Sequence, residues 1–336
     1  MLMSGNQGCQ LAGSAAAKIA TPEPASFGRA AQLAHGRAER AVAIGAPEGD
    51  SICTVPLSPR QRECLARGQA FKANLPSAEP QQGPNPFDAP FVSPITTARD
   101  PVFFEYAART PTDKVGAHAY HYLYNRYLPH ARLHDLNILE IGLGCNMEYG
   151  AGASLKIWRA LLPCANISFI DYDAACAEKY KTQIESEGGG RLYIGSQDDP
   201  KLLAQIVADA QAAGGFDMIV DDGSHRVNHI FASLSALWPV LKPGGVYIME
   251  DLDEHWFVPE TWAMYETGPP ATLPIPLFQR LIHSINCLTK DTFAYSKDYK
   301  AWCRKEQANS IFKDVINVDC MPEACALVKG RPLAGI

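Results

Sequence analysis

From residue 137 onward, short apolar runs alternate with segments in which apolar residues recur every three or four positions. The short runs predict buried strands, and the amphipathic segments predict helices. This alternation indicates a parallel sheet with helical crossovers, and the continuous apolar interiors fit burial on both faces of the sheet. We expect strands near residues 137–144, 166–173, 191–196, 216–223 and 244–251, and helices near 153–162, 174–187, 200–214 and 227–241.

The last part of the chain breaks this alternation. A helical pattern covers residues 276–288, and two strand-like segments, 309–320 and 324–330, are separated only by residues 321–323. A connection this short requires an antiparallel pair. The predicted fold is therefore α/β, a Rossmann-like doubly wound sheet with five parallel strands and a C-terminal antiparallel hairpin. Dinucleotide-binding folds usually continue with further parallel units instead.

The beginning of the chain has a different character. Residues 1–25 are rich in Ala, Gly and Ser and show little periodicity, so we expect disorder there. Helical patterns follow over residues 27–44 and 58–73. In the second, Ser58 suits the N-cap and Pro59 suits the first helical position.

A proline-rich segment separates these helices from the rest of the chain. Residues 76–94 contain six prolines, which exclude a helix or a central strand and predict an extended linker. We therefore divide the chain into an N-terminal extension, residues 1–99, and a main domain, residues 100–336. Early in that domain, residues 117–131 predict a helix with a stripe of tyrosines, for which we favour aromatic packing over ligand contact: Tyr120, Tyr124 and Tyr127.

Composition narrows the classes of partner. Hydrophobic residues make up 47% and charged residues 20%, which is ordinary for a globular protein. A net charge of −6 argues against nucleic acid, because phosphate binding requires a basic surface. No apolar run approaches the roughly 18 residues of a membrane span, and no secretory pattern begins the chain. A transit peptide over residues 1–22 is the less favoured alternative to a cytoplasmic protein.

The cysteines favour the same location. The chain has ten, their spacing is scattered, and no CxxC pair occurs. A disulfide framework usually shows regular cysteine spacing in a short secreted chain. We therefore expect free thiols in a reducing compartment.

Acidic and glycine residues follow every predicted parallel strand. Ligands of open parallel sheets bind beyond the carboxyl ends of the strands, so these residues share one edge. Any single acid there could be an ordinary helix cap. Their presence after all five strands indicates a binding site. The residues concerned are Glu140, Gly142 and Gly144 after the first strand, Asp171 and Asp173 after the second, Gly195, Asp198 and Asp199 beside Gln197 after the third, Asp221 and Asp222 followed by His225 after the fourth, and Glu250 and Asp251 after the fifth.

The glycine turn argues for a ligand without phosphates. A dinucleotide fingerprint requires a third glycine three residues after Gly144, and that position is Met147. An acid that ends the second strand, Asp171, can accept hydrogen bonds from a ribose diol. A nucleoside without a phosphate points to S-adenosylmethionine.

The acids after the fourth and fifth strands suggest a cation site. Asp222, Glu250 and Asp251 should converge because these strands are neighbours in such a sheet. Three close carboxylates repel one another unless a cation is present, and hard oxygen ligands suit Mg²⁺. His225 lies three residues beyond Asp222 and suits a general base, although a polar turn residue is the alternative.

These motifs together resemble the metal-dependent sugar O-methyltransferases of macrolide biosynthesis, which are class I S-adenosylmethionine-dependent methyltransferases. The aminocoumarin sugar methyltransferases are similar too. The resemblance covers about residues 110–257 and rests on "TDKVGAHAYHYLYNRYL", "LEIGLG", "GASLKIW", "GSQDDP", "FDMIVDDGSH" and "LKPGGVYIMEDL". The first hundred residues and the segment "LDEHWF" depart from the family pattern, and both could shape the acceptor pocket.

The resemblance implies specific roles. Asp222, Glu250 and Asp251 would bind Mg²⁺, and His225 would be the catalytic base. The family's methyl-donor site would fall on Glu140, Gly142, Asp171 and Gln197. To these candidates we add Gly144 in the glycine turn and Asp221 at the end of the fourth strand. We therefore expect an S-adenosylmethionine- and Mg²⁺-dependent O-methyltransferase that acts on a hydroxyl of a sugar or polyhydroxylated natural product, with a homo-oligomer as a further expectation.

Three alternatives stay open at this point. A catechol-type or other small-molecule methyltransferase would share the fold. A non-catalytic S-adenosylmethionine-binding protein would be expected to lack the acids, none of which is missing. A nicotinamide dehydrogenase is disfavoured by Met147 and by the terminal hairpin.

Overall fold

The computed structural model describes most of the main domain and one helix of the extension. The described residues are 57–76, 102–128, 134–252 and 313–330, with the isolated positions 278, 280–282, 285, 301, 303 and 305. The expected disorder of residues 1–25, the helix over 27–44 and nearly all of the linker lie outside them. Most of the expected helix over 276–288 does as well.

The sheet confirms the predicted fold class. Its seven strands lie in the order β3-β2-β1-β4-β5-β7-β6. The first five are parallel, and β7 pairs antiparallel with both β5 and β6. The strands are β1 Asn137–Ile141, β2 Asn166–Asp171, β3 Gly189–Ile194, β4 Phe216–Asp221, β5 Leu241–Met249, β6 Val315–Met321 and β7 Ala324–Lys329.

The helices follow the predicted alternation with small shifts at their ends. Those of the described chain are α1 Pro59–Asn74, α2 Val102–Ala107, α3 His121–Tyr127, α4 Ala153–Leu161, α5 Ala174–Gly188, α6 Pro200–Ala212 and α7 Val227–Leu237. A short 3-10 turn, Trp238–Val240, ends the segment predicted to be one long helix. The predicted cap of α1 is confirmed, because Ser58 Oγ accepts from the Gln61 backbone N–H and the Gln61 side chain accepts from the Ser58 N–H.

Two apolar clusters cover the two faces of the sheet. Ile138 belongs to one cluster and its neighbour Leu139 to the other, as the alternation of side chains along a strand requires. Both are essentially inaccessible to solvent. The strand interiors are therefore buried on both faces, which explains their continuous apolar sequence.

Helix α1 belongs to the predicted extension but packs on the main domain. Its Gly68 is buried against Pro163, at the end of α4, so closely that a Cβ added there would lie 2.7 Å from the proline Cβ. The Arg109 side chain donates to the backbone carbonyls of Leu75 and Pro76, just beyond the end of α1. These contacts anchor the helix to the domain that begins after the linker.

The expectation that all cysteines are free thiols is wrong. Cys145 and Cys176 form a disulfide, as do Cys320 and Cys325, whereas Cys64 and Cys164 are free and buried. The first pair is separated by 31 residues along the chain. Its members meet because the turn after β1 and the beginning of α5 lie at the same edge of the sheet, a proximity that cysteine spacing does not reveal. Within the described residues, no helix is long and apolar enough to cross a membrane.

Candidate functional site

A cavity of about 670 Å³ opens at the carboxyl ends of the parallel strands. This is the edge at which the sequence predicts a site. The residues that line it come from the ends of β1 to β5 and from the segment before α3. They are Asp113, Ile141, Gly142, Gly144, Asn146, Met147, Tyr149, Ile170, Asp171, Tyr172, Gly195, Ser196, Gln197, Asp222, Gly223, Ser224, His225, Arg226, His229 and Asp251.

The glycine turn after β1 forms one wall of this cavity. Gly142 has φ of +100°, and a Cβ added to it would lie 2.0 Å from the carbonyl oxygen of Asp222. Gly144 has φ of +77°. Both conformations favour glycine, and at Gly142 the close approach of the β4 loop excludes any side chain.

Asp171 and Gln197 hold further loops that line the cavity. Asp171 accepts hydrogen bonds from the backbone N–H groups of Leu143 and Asp173, at 3.0 and 2.8 Å, so it ties the glycine turn to the loop after β2. The next residue, Tyr172, is 71% exposed and lines the cavity. The Gln197 side chain accepts from the Ser224 N–H at 2.8 Å, which positions the loop that carries the predicted base.

Two predicted donor-site residues lie beneath the cavity and do not line it. Asp221 is 1% exposed and accepts from the side chains of Ser233, Tyr247 and Gln197, while burial raises its pKa. Glu140 is equally buried and accepts from the Trp158 indole N–H at 2.7 Å. Both side chains hydrogen-bond to neighbouring helices and strands beneath the cavity.

Three of the predicted catalytic and metal residues meet at one point. Asp222, His225 and Asp251 each present a ligand atom within 4.8 Å of the others. His225 Nε2 lies 3.5 Å from Asp251 Oδ2. His225 and Asp251 have φ of +55° and +52°, left-handed conformations that are rare without glycine and that cluster at functional sites.

Glu250, the remaining predicted metal ligand, is engaged elsewhere. It is 1% exposed, and one carboxylate oxygen accepts from the Tyr124 hydroxyl at 2.6 Å. The other accepts from the Lys114 ammonium. Its neighbour Asp251 accepts from the Tyr120 hydroxyl.

Lys114 lies at the centre of the acids. Its ammonium donates to Asp222 at 2.5 Å and to Glu250, and it lies 3.6 Å from Glu140. Burial opposes its charge, but Asp222 and Glu250 outweigh burial and hold the pKa of Lys114 well above its usual value. Burial and the negative charge of Asp222 raise the pKa of both Glu250 and Asp251. Burial is the larger cause, and the repulsion between these carboxylates adds to it; a further cation would reduce that repulsion.

His118 and Tyr120 contact Asp251, and the sequence predicts only aromatic packing for Tyr120 and no role for His118. His118 lies 3.6 Å from Asp251 through Nε2 and 2.6 Å from the Glu323 carboxylate through Nδ1. Its ring stacks on Tyr120. Tyr120 and Tyr124 are buried, as the packing interpretation predicts, but their hydroxyls also hold the acids. The sequence signal for these residues is the motif "TDKVGAHAYHYLY", which is part of the family resemblance.

Sequence comparison identifies sugar-modifying relatives. L-olivosyl-oleandolide 3-O-methyltransferase of Streptomyces antibioticus is 30% identical over 208 residues, 61% of this chain and 51% of that protein. Demethylmacrocin O-methyltransferase of Streptomyces fradiae is 33% identical over 46% of this chain and 38% of its own length. The chain is thus similar, over part of its length, to sugar O-methyltransferases. It spans about half the length, or less, of the curated relatives that it matches. No family profile matches it.

Structural comparison supports the same relationship. The MycE methyltransferase of the mycinamycin biosynthetic pathway, solved in complex with Mg, SAH and mycinamycin VI, superposes with a TM-score of 0.53 and 25% identity. The match covers 71% of this chain and 57% of MycE. A second crystal form of MycE with Mg and SAH gives a TM-score of 0.54. The α/β domain therefore has the class I methyltransferase fold.

Proposed function

We propose that this protein is an S-adenosylmethionine- and Mg²⁺-dependent O-methyltransferase that acts on a hydroxyl of a sugar or polyhydroxylated natural product. The observation that carries the proposal is the convergence of Asp222, His225 and Asp251 at the edge of a cavity walled by a glycine turn. The relatives add the reaction class, because several are named as O-methyltransferases of glycosylated natural products.

The cavity is the proposed donor site. Its volume of about 670 Å³ lies in the range of small-molecule pockets, about 300–1,000 Å³. Gly142 and Gly144 would let the ligand approach the backbone closely, and Asp171 would accept from the ribose hydroxyls in addition to its two backbone N–H donors. Gln197 contributes by holding the Ser224 loop against the cavity.

The acid cluster fits a divalent cation. Ligand atoms of Asp222, Asp251 and His225 lie within 4.8 Å of one another, and those of the two aspartates are carboxylate oxygens, which Mg²⁺ prefers. Asp222 and Asp251 would hold Mg²⁺, with Glu250 as the third ligand predicted from the sequence. When bound, the ion lowers the pKa of a coordinated hydroxyl and stabilises the alkoxide.

His225 is the proposed base. It removes the proton from the acceptor hydroxyl, and the oxygen attacks the donor methyl carbon. The carbon–sulfur bond then breaks, and its electron pair stays on sulfur, which leaves as a neutral thioether. The nitrogen that would take the proton is Nε2, which lies 3.5 Å from Asp251 Oδ2, and His225 lines the cavity. Positioning of the two reactants accounts for much of the expected rate.

The proposed partner is a small glycosylated or polyhydroxylated acceptor, and neither nucleic acid nor a membrane has a part in the reaction. A homo-oligomer and a cytoplasmic location remain predictions. The Cys145–Cys176 disulfide favours an oxidising compartment, so fractionation of the native cells, with the protein located in each fraction, tests the predicted cytoplasmic location.

A transfer assay tests the proposal. The full chain is incubated with methyl-labelled S-adenosylmethionine, Mg²⁺ and a panel of deoxysugar glycosides and catechols. The products are identified by mass spectrometry. We expect one labelled methyl on a sugar hydroxyl and loss of transfer with EDTA. Transfer only to catechols, or transfer that EDTA leaves unchanged, would contradict the proposed acceptor or the proposed metal.

A further inference from the structure

Lys114 is an unusual residue for the interior of a candidate metal site. Its side chain is 4% exposed, and lysine is almost never buried to this degree unless it is paired. It comes from the segment before α3, whereas its acidic partners come from the ends of β1, β4 and β5. One ammonium thus connects four separate parts of the fold.

The two fully buried acids have their oxygens occupied in the same way. Glu250 accepts from Tyr124 on one oxygen and from Lys114 on the other. Glu140 accepts from Trp158 on one oxygen, and its other oxygen lies 3.6 Å from the ammonium of Lys114. An ion that recruits Glu250 must therefore displace Tyr124 or Lys114, or share an oxygen with one of them.

Asp222 is the residue through which this arrangement reaches the cavity. It is partly exposed and lines the cavity, and it belongs to the group of three that could hold an ion. Its Oδ2 accepts from Lys114 at 2.5 Å. A divalent cation bound here would lie close to the ammonium, and like charges at such separations repel strongly in a buried environment.

We infer that Lys114 is the built-in counter-cation of the acid cluster, and that it competes with the divalent metal for Asp222 and Glu250. The inference rests on the proposed function, which supplies the metal. Without metal, the ammonium keeps the acids together and limits their repulsion. With metal bound, it gives up at least one of these carboxylates. Lys114 is thus a positioning residue that sets the affinity and the ligand set of the cation site.

The alternative is a purely structural ion pair. In that case Lys114 would stabilise the fold equally with and without metal, and its removal would not improve cation binding. The two roles therefore predict different results when metal binding is measured in the Lys114 variants. Only competition predicts that substitution of Lys114 tightens cation binding.

The experiment uses Lys114→Met, Lys114→Gln and Lys114→Arg in the full chain. Mn²⁺ binding is measured by electron paramagnetic resonance, and thermal unfolding is followed with and without Mg²⁺. Lys114→Gln keeps a hydrogen-bond donor without the charge and guards against a Lys114→Met variant that does not fold. Lys201→Met, which removes an exposed lysine on α6, is the matched control.

We expect the metal-free Lys114→Gln and Lys114→Met variants to melt at lower temperature than the wild type. Mg²⁺ should raise their melting temperature more than it raises that of the wild type, and Mn²⁺ should bind about tenfold or more tightly. Lys114→Arg should resemble the wild type, and Lys201→Met should change neither measurement. Unchanged or weaker Mn²⁺ binding in Lys114→Gln would overturn the competition.

Failure of the proposed function gives a different result. If the wild type and Lys114→Gln both bind no Mn²⁺, the metal and with it the competition are refuted. If the wild type binds Mn²⁺ and transfers methyl groups, but Lys114→Gln binds Mn²⁺ no better, only the role of Lys114 is refuted.

Discussion

Backbone conformation at single residues singles out the proposed catalytic centre. Among the described non-glycine residues, His225, Asp251 and Glu323 have a positive φ. These three are connected, since Asp251 contacts His225 on one side and His118 on the other, and His118 contacts Glu323. Left-handed conformations cost about 1–3 kcal/mol each and persist only where surrounding contacts enforce them. The contacts of Tyr120 and His118 with Asp251 supply such enforcement.

Replacement of His225 tests the base directly. His225→Ala should lower kcat by about 10²–10⁴-fold, because proton removal from the acceptor is lost, while the donor dissociation constant stays within about twofold. Single-turnover transfer and calorimetry with S-adenosylmethionine measure the two effects. Near-normal turnover would rule out His225 as the base.

Replacement of Asp222 tests the cation site. Asp222→Asn removes one negative ligand and should weaken Mn²⁺ binding by about tenfold or more, with the loss of activity partly recovered at high Mg²⁺. Mn²⁺ titration followed by electron paramagnetic resonance provides the measurement. The exposed acid Glu178 on α5, changed to Gln, is the control and should leave Mn²⁺ affinity unchanged. Equal Mn²⁺ affinity in Asp222→Asn and the wild type would remove Asp222 from the site.

The glycine turn has an internal control for steric effects. Gly142→Ala should abolish donor binding or folding, because its Cβ would lie 2.0 Å from the Asp222 carbonyl oxygen. Gly214→Ala has a similar positive φ but meets no atom within 4 Å, so it isolates the conformational cost, about 1–2 kcal/mol. Donor calorimetry and urea unfolding compare the two variants. Similar behaviour of both would mean that the close approach at Gly142 is unimportant.

At the scale of elements, a disulfide joins two of the loops that line the proposed donor cavity. Cys145 follows the glycine turn after β1, and Cys176 lies in the first turn of α5, just after the loop that carries Asp171 and Tyr172. Residues on both sides of this bridge line the cavity. The disulfide therefore limits how far the two walls can separate.

Removal of this disulfide should affect donor binding. Cys145→Ser combined with Cys176→Ser should lower stability by about 2–4 kcal/mol and weaken S-adenosylmethionine binding by about tenfold, because loop ordering then adds to the cost of binding. Cys320→Ser with Cys325→Ser, in the terminal hairpin, is the matched control for donor affinity. Donor affinity that is unchanged in the first pair would show that the walls are held by other contacts.

At the scale of the whole molecule, helix α1 is part of the folded unit although a long segment separates it from the main domain. Gly68 packs on Pro163, and Cys64 is buried in the same helix. The Arg109 contacts beyond the end of α1 add polar links. The helix covers the end of α4 that is remote from the cavity, so it contributes to stability rather than to chemistry.

This division of roles can be measured. Gly68→Leu should lower the free energy of unfolding by about 1–3 kcal/mol, because the side chain would displace α1 from Pro163, while donor affinity stays unchanged. Urea unfolding and calorimetry separate the two effects, and Gln69→Leu on the exposed side of the helix is the control. A loss of donor binding without a loss of stability would give α1 a functional role instead.

The sequence by itself determined the sheet and the edge that carries the site. Apolar strand interiors and amphipathic helices permit few arrangements, and the short connection at 321–323 requires a hairpin. The positions of Asp222, His225 and Asp251 followed from the rule that strand ends share an edge.

Tertiary structure alone decided which acids line the cavity and which are buried beneath it. Glu140, Asp221 and Glu250 are acids at strand ends like the others, but their burial and their partners Trp158, Ser233 and Tyr124 can be seen only in three dimensions. Lys114 lies 108 residues from Asp222 and 136 from Glu250 along the chain, and the Cys145–Cys176 pair is also distant in sequence. Local patterns carry the periodicity of elements but no information about which distant charges meet, because packing of the whole chain sets those contacts.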